Sequence, residues 1–225
     1  MAPKSTPGVP AGAQRFRRRL LAWFHRNGRD LPWRRTRDPY RILVSEVMLQ
    51  QTQVARVAEY YPRFLTAFPT LHQLAAAPAA RVREEWSGLG YYRRATNLQR
   101  LAQEVVALHG GSLPTEPEQL RRLPGVGRYT AGAVASFAFE RPVAAVDTNV
   151  ARVLRRAFHP RLPRGARGER RIWHTATALL PKSGPAAWAF NQAVMELGAL
   201  VCTARVARCE LCPVRPVCLT GQQRD

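Results

Sequence analysis

Two carboxylates lie in sequence surroundings that suit acid–base chemistry. Glu46 is the only acidic residue in 39–58, and apolar residues surround it. A carboxyl group in apolar surroundings tends to keep its proton, so Glu46 is a candidate general acid. Asp147 follows an apolar run at the start of a predicted helix, and Asn149 beside it can orient a carboxylate or a water. The alternatives are a solvent-exposed helix position for Glu46 and an ordinary helix N-cap for Asp147.

A polar segment follows Glu46 closely and contains Gln50, Gln51 and Thr52. Amide and hydroxyl groups at the end of an apolar helix can contact base edges in a nucleic acid. They can also fill the gap that an extruded base leaves in the stack. We therefore take these three residues as candidate DNA contacts.

All four cysteines lie in the last 24 residues of the chain. A disulfide framework does not fit a cytosolic chain that has no other cysteine, so the cluster predicts a metal site. Structural zinc sites usually pair two short C-x2-C units, whereas here only the middle spacing is short. The pattern C-x6-C-x2-C-x5-C favours a [4Fe–4S] cluster over zinc. The candidate ligands are Cys202, Cys209, Cys212 and Cys218.

A glycine hairpin stands in the sequence RRLPGVGRYTAGA, residues 121–133. The Pro-Gly-Val-Gly run breaks one helix and lets another begin almost at once. Free backbone N–H groups at the start of the second helix can then receive a phosphate oxygen, and the flanking arginines add positive charge. An ordinary turn between two helices is the alternative. The candidate phosphate contacts are Gly125, Val126, Gly127 and Arg128.

The chain is strongly basic, with 35 Lys and Arg against 15 Asp and Glu and a formal net charge of +20. A chain of this charge repels itself unless it meets a polyanion, which favours nucleic acid as the partner. A bias toward Arg over Lys does not explain why acidic residues are so few. Only Lys4 and Lys182 occur, so the chain offers few amines for Schiff-base chemistry.

The elements that must position these residues are helical, because helical periodicity dominates and alternating strand patterns are nearly absent. We predict an all-α protein without a membrane span, with a disordered leader over 1–13. Proline disfavours the helical state of the residue before it, so the helix over 42–66 is expected to break near Tyr61–Pro62. The basic segment 159–171 is expected to be a surface loop. The predicted helices are 14–26, 42–66, 71–76, 79–86, 92–109, 116–123, 129–139, 150–158, 170–180 and 185–200.

Together these motifs resemble the helix–hairpin–helix DNA glycosylase superfamily of endonuclease III. Five of them are similar to its adenine DNA glycosylase branch: LPWR (31–34), SEVMLQQT (45–52), GLGYY (88–92), LPGVGRYTAGA (123–133) and NQAVMELGA (191–199). The resemblance runs from about Arg15 to Cys218, nearly the whole chain.

The resemblance implies a six-helix domain over 31–143, with the hairpin in 116–139. It implies a second domain, built from 14–30 and 144–225, that carries the [4Fe–4S] cluster.

The resemblance also implies roles for individual side chains. Glu46 would protonate a ring nitrogen of adenine, and Asp147 would stabilise the oxocarbenium-like sugar or bond to it transiently. Asn149 and Tyr129 would support these two carboxylates. The positions that match those holding the flipped adenine are Trp33, Arg34 and Glu196. The positions that match those wedging into the duplex and contacting the opposite guanine are Gln51, Thr52 and Tyr91.

Tyr129 sets the expected reaction class. In the lyase branch that resembles endonuclease III, the residue after Gly-Val-Gly-Arg is a lysine whose amine attacks the sugar. A phenol with a pKa of about 10 cannot form that imine. We therefore predict a monofunctional DNA glycosylase that removes adenine mispaired with 8-oxoguanine or guanine in double-stranded DNA. We expect it to act as a monomer in the bacterial cytoplasm, associated with the nucleoid.

Two other functions stay open at this point. A thymine or uracil mismatch glycosylase is the first, since such relatives are short and can have a tyrosine after the hairpin, although SEVMLQQT and Glu196 favour adenine. A non-enzymatic module that binds distorted duplex DNA is the second, and the pair of Glu46 and Asp147 argues against it. Adenine glycosylases commonly carry a further C-terminal domain that senses 8-oxoguanine. The chain ends seven residues after Cys218, so we expect it to lack that domain.

Overall fold

The structure is a computed structural model that describes residues 8–223. In these residues the chain is helical, and an isolated antiparallel bridge joins Cys202 to Ala207, so the predicted all-α fold is confirmed. No helix in this range is both long enough and apolar enough to cross a bilayer. The predicted leader falls outside the described residues over 1–7, and the first helix begins at Ala13. The α-helices are α1 (Ala13–Asn27), α2 (Pro39–Met48), α3 (Val54–Ala67), α4 (Leu71–Ala76), α5 (Ala79–Glu85), α6 (Arg93–His109), α7 (Pro117–Leu120), α8 (Arg128–Ala138), α9 (Thr148–Phe158), α10 (Ala166–Leu179) and α11 (Gly184–Leu200).

The chain divides into two compact units, and the first, here the hairpin unit, is Asp30–Phe139. In it α2 packs against α8, and α4 packs against α6. Aromatic rings fill part of its core, where the ring centroid of Phe64 lies 5.0 Å from that of Phe68 and 5.6 Å from that of Trp86. Such edge-on pairs add to the stabilisation that comes from buried apolar area. This packing puts α2 directly beside the helix that follows the glycine hairpin.

The second unit, here the cysteine unit, combines Met1–Arg29 with Glu140–Asp225. In it α1 packs against α11, and α9 packs against both α10 and α11. The buried face of α1 carries Phe16 and Leu20, whose spacing of four residues puts them on one side of a helix. The ring centroid of Phe16 lies 5.1 Å from that of Phe158. Segments from both ends of the sequence therefore share one hydrophobic core.

The single helix predicted over 42–66 is wrong in two respects. α2 and α3 are separate helices, and between them Gln51 has a left-handed φ of 59° that interrupts the helical path. The break expected near Tyr61–Pro62 does not occur, because α3 runs through this proline. Its buried face continues on both sides of the proline, through Val57 and Phe64. Burial of that face outweighs the loss of one backbone hydrogen bond.

The basic segment 159–171 was predicted to be a surface loop that leads into a helix over 170–180, but the helix begins four residues earlier. α10 begins at Ala166, directly after Gly165, whose φ is 100°. Gly168 is buried in the first turn, where an added Cβ would lie 2.2 Å from the carbonyl oxygen of Pro163. The glycine therefore lets the start of α10 pack directly on the loop before it, a contact that sequence periodicity does not report.

Candidate functional site

Glu46 lies on the buried side of α2. This helix begins at Pro39 and is capped by Asp38, whose side chain accepts a hydrogen bond from the backbone N–H of Arg41 at 2.8 Å. Glu46 is only 4% exposed, so it is not on a solvent-facing side of the helix. The hydroxyl of Tyr129, in the first turn of α8, donates a hydrogen bond to Glu46 Oε2 at 2.6 Å. The structure thus brings together the predicted acid and the predicted supporting phenol.

Trp33 and Arg34 lie in a 3₁₀ turn, Pro32–Arg34, that precedes α2. The Trp33 side chain is buried, and its ring meets the ring of Tyr61 edge-on with centroids 5.6 Å apart. Burial raises the pKa of Tyr61 to about 12, so this phenol stays protonated over the range in which proteins work. Arg34 is half-buried. The pair therefore belongs to the hairpin unit, as do Glu46 and its phenol.

The two glycines of the hairpin have different surroundings. Gly125 has a φ of 76°, and an added Cβ would lie 2.9 Å from the Cβ of Asn97. This position therefore requires glycine for reasons internal to the fold. Gly127 caps the start of α8 with an ordinary extended backbone, φ −84° and ψ 177°, and an added Cβ would have no atom within 4 Å. Nothing inside the described chain requires glycine at 127.

The start of α8 is positively polarised. Gly127 provides no side-chain cap for its first turn, and the N–H groups at a helix start carry partial positive charge. Arg128 is the first residue of the helix, and its pKa is lowered by burial and then by the cation of Arg121. Val126 is buried and anchors the turn between the glycines. This arrangement suits an anion that binds to backbone N–H groups.

Gln50 and Gln51 lie in the segment between α2 and α3. Gln50 Nε2 donates to Thr130 Oγ1 at 3.4 Å, which links this segment to α8. Gln51 is exposed, and its left-handed backbone is uncommon for a residue with a side chain.

Thr52 and Tyr91 belong to two neighbouring loops that one arginine joins. Thr52 Oγ1 accepts a hydrogen bond from Arg94 Nη2 at 3.0 Å. Tyr91 is 61% exposed with a φ of 48°, and Arg94 also bonds to the carbonyl oxygens of Leu89 and Gly90. Sequence reasoning missed Arg94, because nothing in the pattern separates one buried arginine from the many on the surface.

Asp147 is the N-cap of α9, so the alternative weighed for it describes its geometry correctly. Its Oδ1 accepts from the backbone N–H of Val150 at 2.7 Å, and its Oδ2 accepts from Asn149 Nδ2 at 2.8 Å. Burial raises the pKa of Asp147, while these two hydrogen bonds oppose the shift by stabilising the ionised form. A capping role and a chemical role are compatible here.

A chain of hydrogen bonds leads from Asp147 to the first cysteine. Asn149 Oδ1 accepts from Arg152 Nη2 at 2.7 Å. Arg152 Nε donates to the carbonyl oxygen of Cys202 at 2.8 Å, and Nη2 also donates to the carbonyl oxygen of Gly198 at 2.8 Å. Arg152 thereby holds Asn149 in the orientation that presents its amide N–H to the carboxylate.

Glu196 is 1% exposed and is held by Arg29. Arg29 Nε donates to Glu196 Oε1 at 2.7 Å, Nη2 donates to Oε2 at 2.9 Å, and the backbone N–H of Arg29 donates to Oε1 at 2.9 Å. This two-pronged geometry is the strong form of an arginine–carboxylate pair, and the hydrogen bond to Glu196 raises the pKa of Arg29. Sequence reasoning missed Arg29, because its partner is distant in the sequence.

The four cysteines line one cavity that is partly open to solvent, and none forms a disulfide. Two donors are directed at its sulfurs: Arg156 Nη1 to Cys202 Sγ at 3.3 Å and the backbone N–H of Gly221 to Cys218 Sγ at 3.3 Å. Burial raises the pKa of Cys212 to about 11 and also raises that of Cys218. Over residues 8–223, no three His, Cys, Asp or Glu side chains are placed to hold one metal ion.

The geometry of the two units agrees with what comparison with known proteins finds. A family model described as HhH-GPD superfamily base excision DNA repair protein matches residues 44–172. The chain is 46% identical over 218 residues to the adenine DNA glycosylase of Rattus norvegicus, covering 92% of this chain and 42% of that protein. It is 48% identical over 196 residues to that of Mycobacterium tuberculosis (strain ATCC 25618 / H37Rv), covering 87% of this chain and 64% of that protein. The chain thus spans less than half the length of the rat relative.

Two solved structures are similar over nearly the whole chain. A thermostable thymine-DNA glycosylase has a TM-score of 0.84 and 30% identity, with 94% of this chain and 97% of that chain covered. An endonuclease III trapped as a covalent intermediate with DNA has a TM-score of 0.77 and 28% identity, with 94% and 98% covered. The family model covers more than half of the chain, and the helical fold agrees with it. The chain therefore belongs to the HhH-GPD superfamily of base excision DNA repair proteins.

Proposed function

We propose that the protein is a monofunctional DNA glycosylase that hydrolyses the N-glycosidic bond of adenine mispaired with 8-oxoguanine or guanine. The observation that carries the proposal is the buried Glu46 with the hydroxyl of Tyr129 bonded to its carboxyl oxygen. By the resemblance, Tyr129 takes the position at which the lyase branch carries a lysine, and a phenol cannot serve as that amine nucleophile. Adenine DNA glycosylases that are 46% and 48% identical to this chain support adenine as the base removed.

In the proposed mechanism, Glu46 gives its proton to a ring nitrogen of the extruded adenine. The glycosidic C1′–N9 bond then breaks, and its electron pair leaves with the adenine. The sugar becomes cationic, and Asp147 stabilises that charge through its ionised carboxylate. Water adds to C1′ and gives a proton to the Glu46 carboxylate, which restores the acid. The mechanism uses one protonated and one ionised carboxyl group, whose different environments suit different protonation states. Glycoside hydrolysis uses a pair of carboxyl groups in the same way.

The contacts around Asp147 suit its part in this mechanism. Hydrogen bonds from Val150 N–H and Asn149 Nδ2 stabilise the carboxylate and hold its two oxygens in fixed directions. Arg152 prevents the Asn149 amide from rotating, because its Nη2 donates to Asn149 Oδ1. We therefore infer that Asn149 acts by orienting Asp147, and that Arg152 acts through Asn149.

We infer that Trp33, Arg34 and Glu196 bind the extruded adenine, which makes Arg29 the residue that holds Glu196 for that purpose. A carboxylate with both oxygens bound by one arginine keeps a single orientation. A site whose polar groups have fixed directions selects a purine over a pyrimidine more strongly than a site that offers apolar contacts alone.

We propose that the four cysteines hold a [4Fe–4S] cluster. Structural zinc sites usually pair two short C-x2-C units, and this chain has only one such spacing. Four cysteines on the wall of one cavity, with hydrogen-bond donors directed at two of their sulfurs, suit four irons that each take one thiolate. Burial raises the pKa of Cys212 and Cys218, and a cationic group in the cavity would be needed to hold these thiols ionised. Purified protein should be yellow-brown, with iron and sulfide in equal amounts, whereas a zinc protein is colourless.

The experiment that tests the function is single-turnover excision on a panel of duplexes. The panel presents adenine opposite 8-oxoguanine, adenine opposite guanine, adenine opposite thymine, and thymine opposite guanine. We expect release of adenine from the first two duplexes and intact strands until alkali is added. Strand cleavage without alkali, through an adduct that borohydride traps, would contradict the absence of lyase activity.

The thymine-DNA glycosylase with a TM-score of 0.84 favours thymine as the second candidate substrate. Release of thymine from the thymine–guanine duplex, with no release of adenine from any duplex, would establish that reading instead. Tight binding to mismatched duplexes without release of any base would establish the non-enzymatic alternative.

Substitution of the two hairpin glycines is expected to separate folding from DNA binding. Gly125→Ala forces a side chain into a left-handed φ of 76° against Asn97, so we expect a lower melting temperature. Gly127→Ala has room and an ordinary backbone, so the melting temperature should stay the same or rise slightly. The added methyl group would stand where a phosphate approaches the start of α8, so binding to duplex DNA should fall by roughly tenfold. Equal DNA binding by Gly127→Ala and wild type would contradict phosphate binding at this turn.

A further inference from the structure

Arg94, at the start of α6, is a buried cation whose partners are all uncharged. It is 8% exposed, and in the described chain no carboxylate pairs with it. A buried charge without a counter-ion is expensive unless polar groups solvate it. Its acceptors are the carbonyl oxygens of Val47, Met48, Gln50, Leu89 and Gly90 and the hydroxyl oxygen of Thr52.

These acceptors come from two segments that are separate in sequence. Arg94 Nη1 donates to the carbonyl oxygens of Val47 at 3.0 Å and Met48 at 2.7 Å, and also to that of Gln50. Arg94 Nη2 donates to the carbonyl oxygens of Leu89 at 3.1 Å and Gly90 at 3.2 Å. Its bond to Thr52 returns to the first segment. One planar guanidinium therefore joins the segment after α2 to the loop before α6.

Capping of α2 explains only part of this arrangement. The carbonyl groups of Val47 and Met48 belong to the last turn of α2, where a cation is stabilising. The oxygens of Gln50, Leu89 and Gly90 lie beyond that helix, and a cap does not need them. The hydrogen bonds from Arg94 to these three oxygens hold the two segments to each other.

Each of the two joined segments contains a strained residue. Among the described residues that are not glycine, only Gln51, Tyr91 and Glu140 have positive φ angles. A left-handed backbone at such a residue is costly and persists where its surroundings hold it. Arg94 bonds on both sides of Gln51, to Gln50 O and Thr52 Oγ1, and directly before Tyr91, to Gly90 O. Its guanidinium carbon also lies 5.5 Å from the centroid of the exposed Tyr91 ring.

We propose that Arg94 is a positioning residue that locks the segments 49–53 and 88–92 together, so that Gln51 and Tyr91 enter the DNA stack as one preformed wedge. The inference rests on the proposed glycosylase function for the part that concerns DNA. Extrusion of a paired base costs free energy, and a wedge that is already ordered does not add the free energy of its own ordering to that cost.

Arg94→Lys tests the proposal, because lysine keeps the charge but presents a compact ammonium that cannot span both segments. Arg93→Lys is the matched control, since Arg93 is the exposed neighbour on the same helix. By hydrogen exchange, we expect faster exchange in both 49–53 and 88–92 for Arg94→Lys and no change for Arg93→Lys. Unchanged exchange in either segment would overturn the proposal.

Excision rates on two kinds of duplex distinguish a loss of wedge positioning from a general loss of activity in Arg94→Lys. Arg94→Lys should excise adenine opposite 8-oxoguanine or guanine roughly tenfold more slowly than wild type, because a paired base must be extruded. For adenine opposite an abasic site, which has no partner to break from, the loss should be less than about twofold. Equal losses on both duplexes would overturn the wedge role. If wild type releases no adenine from any duplex, the proposed function fails, and hydrogen exchange alone then decides whether Arg94 joins the segments.

Thr52→Val provides a second route should Arg94→Lys not fold. It removes one acceptor of Arg94, together with the hydrogen bond that the Thr52 hydroxyl donates to the carbonyl oxygen of Leu89 at 3.5 Å, and it leaves the cation in place. We expect faster exchange in 49–53 and a smaller increase in 88–92, together with a smaller loss of excision on the paired duplexes than Arg94→Lys shows. Exchange equal to wild type in 49–53 would contradict the proposal.

Discussion

Replacement of Glu46 by glutamine is expected to slow adenine excision by roughly 10²–10⁴-fold while leaving duplex binding intact. Glutamine has the same shape and can accept the hydrogen bond from Tyr129, so the fold is retained. It has no acidic proton to give to the adenine ring, so the leaving group stays poor. The measurement is single-turnover release of adenine, with affinity for the uncleaved duplex measured in parallel.

Two further variants give this prediction its controls. Glu59→Gln makes the same chemical change at an exposed position of α3 and should leave excision unchanged. Tyr129→Phe keeps the acid and removes one hydrogen bond to it, so the loss should be smaller, on the order of tenfold. Activity of Glu46→Gln within a few-fold of wild type would remove Glu46 from the proposed role.

Asp147→Asn is expected to slow excision by on the order of 10²- to 10³-fold, because it removes the negative charge that stabilises the cationic sugar. Asparagine is as good an N-cap as aspartate, so α9 should still form. Asp38→Asn is the matched control, because Asp38 caps α2 through the same side-chain geometry. We expect that variant to keep full activity. Equal losses in both variants would mean that Asp147 matters only as a cap.

The stability of wild type relative to Asp147→Asn should fall as the pH rises. Burial raises the pKa of Asp147 in the folded protein above the value of about 3.9 expected in the unfolded chain. At pH values below both, the carboxyl group is protonated in either state and its ionisation does not oppose folding. As the pH rises above about 4 and through the folded pKa, the folded state is increasingly penalised relative to the unfolded state. Wild type should therefore lose stability relative to Asp147→Asn as the pH rises toward neutrality.

The measurement is the difference in unfolding free energy between wild type and Asp147→Asn from pH 4 to pH 7.5. All other titratable groups are present in both proteins, so this difference reports on the carboxyl group of Asp147. A difference that is constant with pH, or one that favours wild type more strongly at neutral pH, would contradict a raised pKa at Asp147. A catalytic carboxylate that opposes folding is the usual form of conflict between stability and function.

The sequence identified candidate residues of the site but not the contacts between them. Glu46 and Tyr129 were both singled out from their neighbours, yet their hydrogen bond joins residues on α2 and α8 that no local pattern relates. The pair of Arg29 and Glu196 is similar, since the partners lie near opposite ends of the chain. Among so many arginines, sequence composition alone cannot tell which ones are buried. Arg94 was missed for that reason.

Local rules failed where packing decided the outcome. The rule that proline ends a helix misplaced the break in 42–66, because the buried face of α3 continues through Pro62. The real break lies at the segment that contains Gln51, where a contact with Arg94 from another helix supports a left-handed backbone. Helix type was predictable from periodicity, whereas this boundary depends on a partner more than forty residues away.

The division of the chain into one continuous and one discontinuous unit has a consequence for synthesis on the ribosome. All of Asp30–Phe139 can emerge and fold before residues 140–225 are made. The apolar face of α1 emerges first but packs against α11, which is among the last helices to be translated. Closing so long a loop is slow, so Phe16 and Leu20 stay exposed during most of translation. The earliest helix of the chain is therefore among the last to reach its native place.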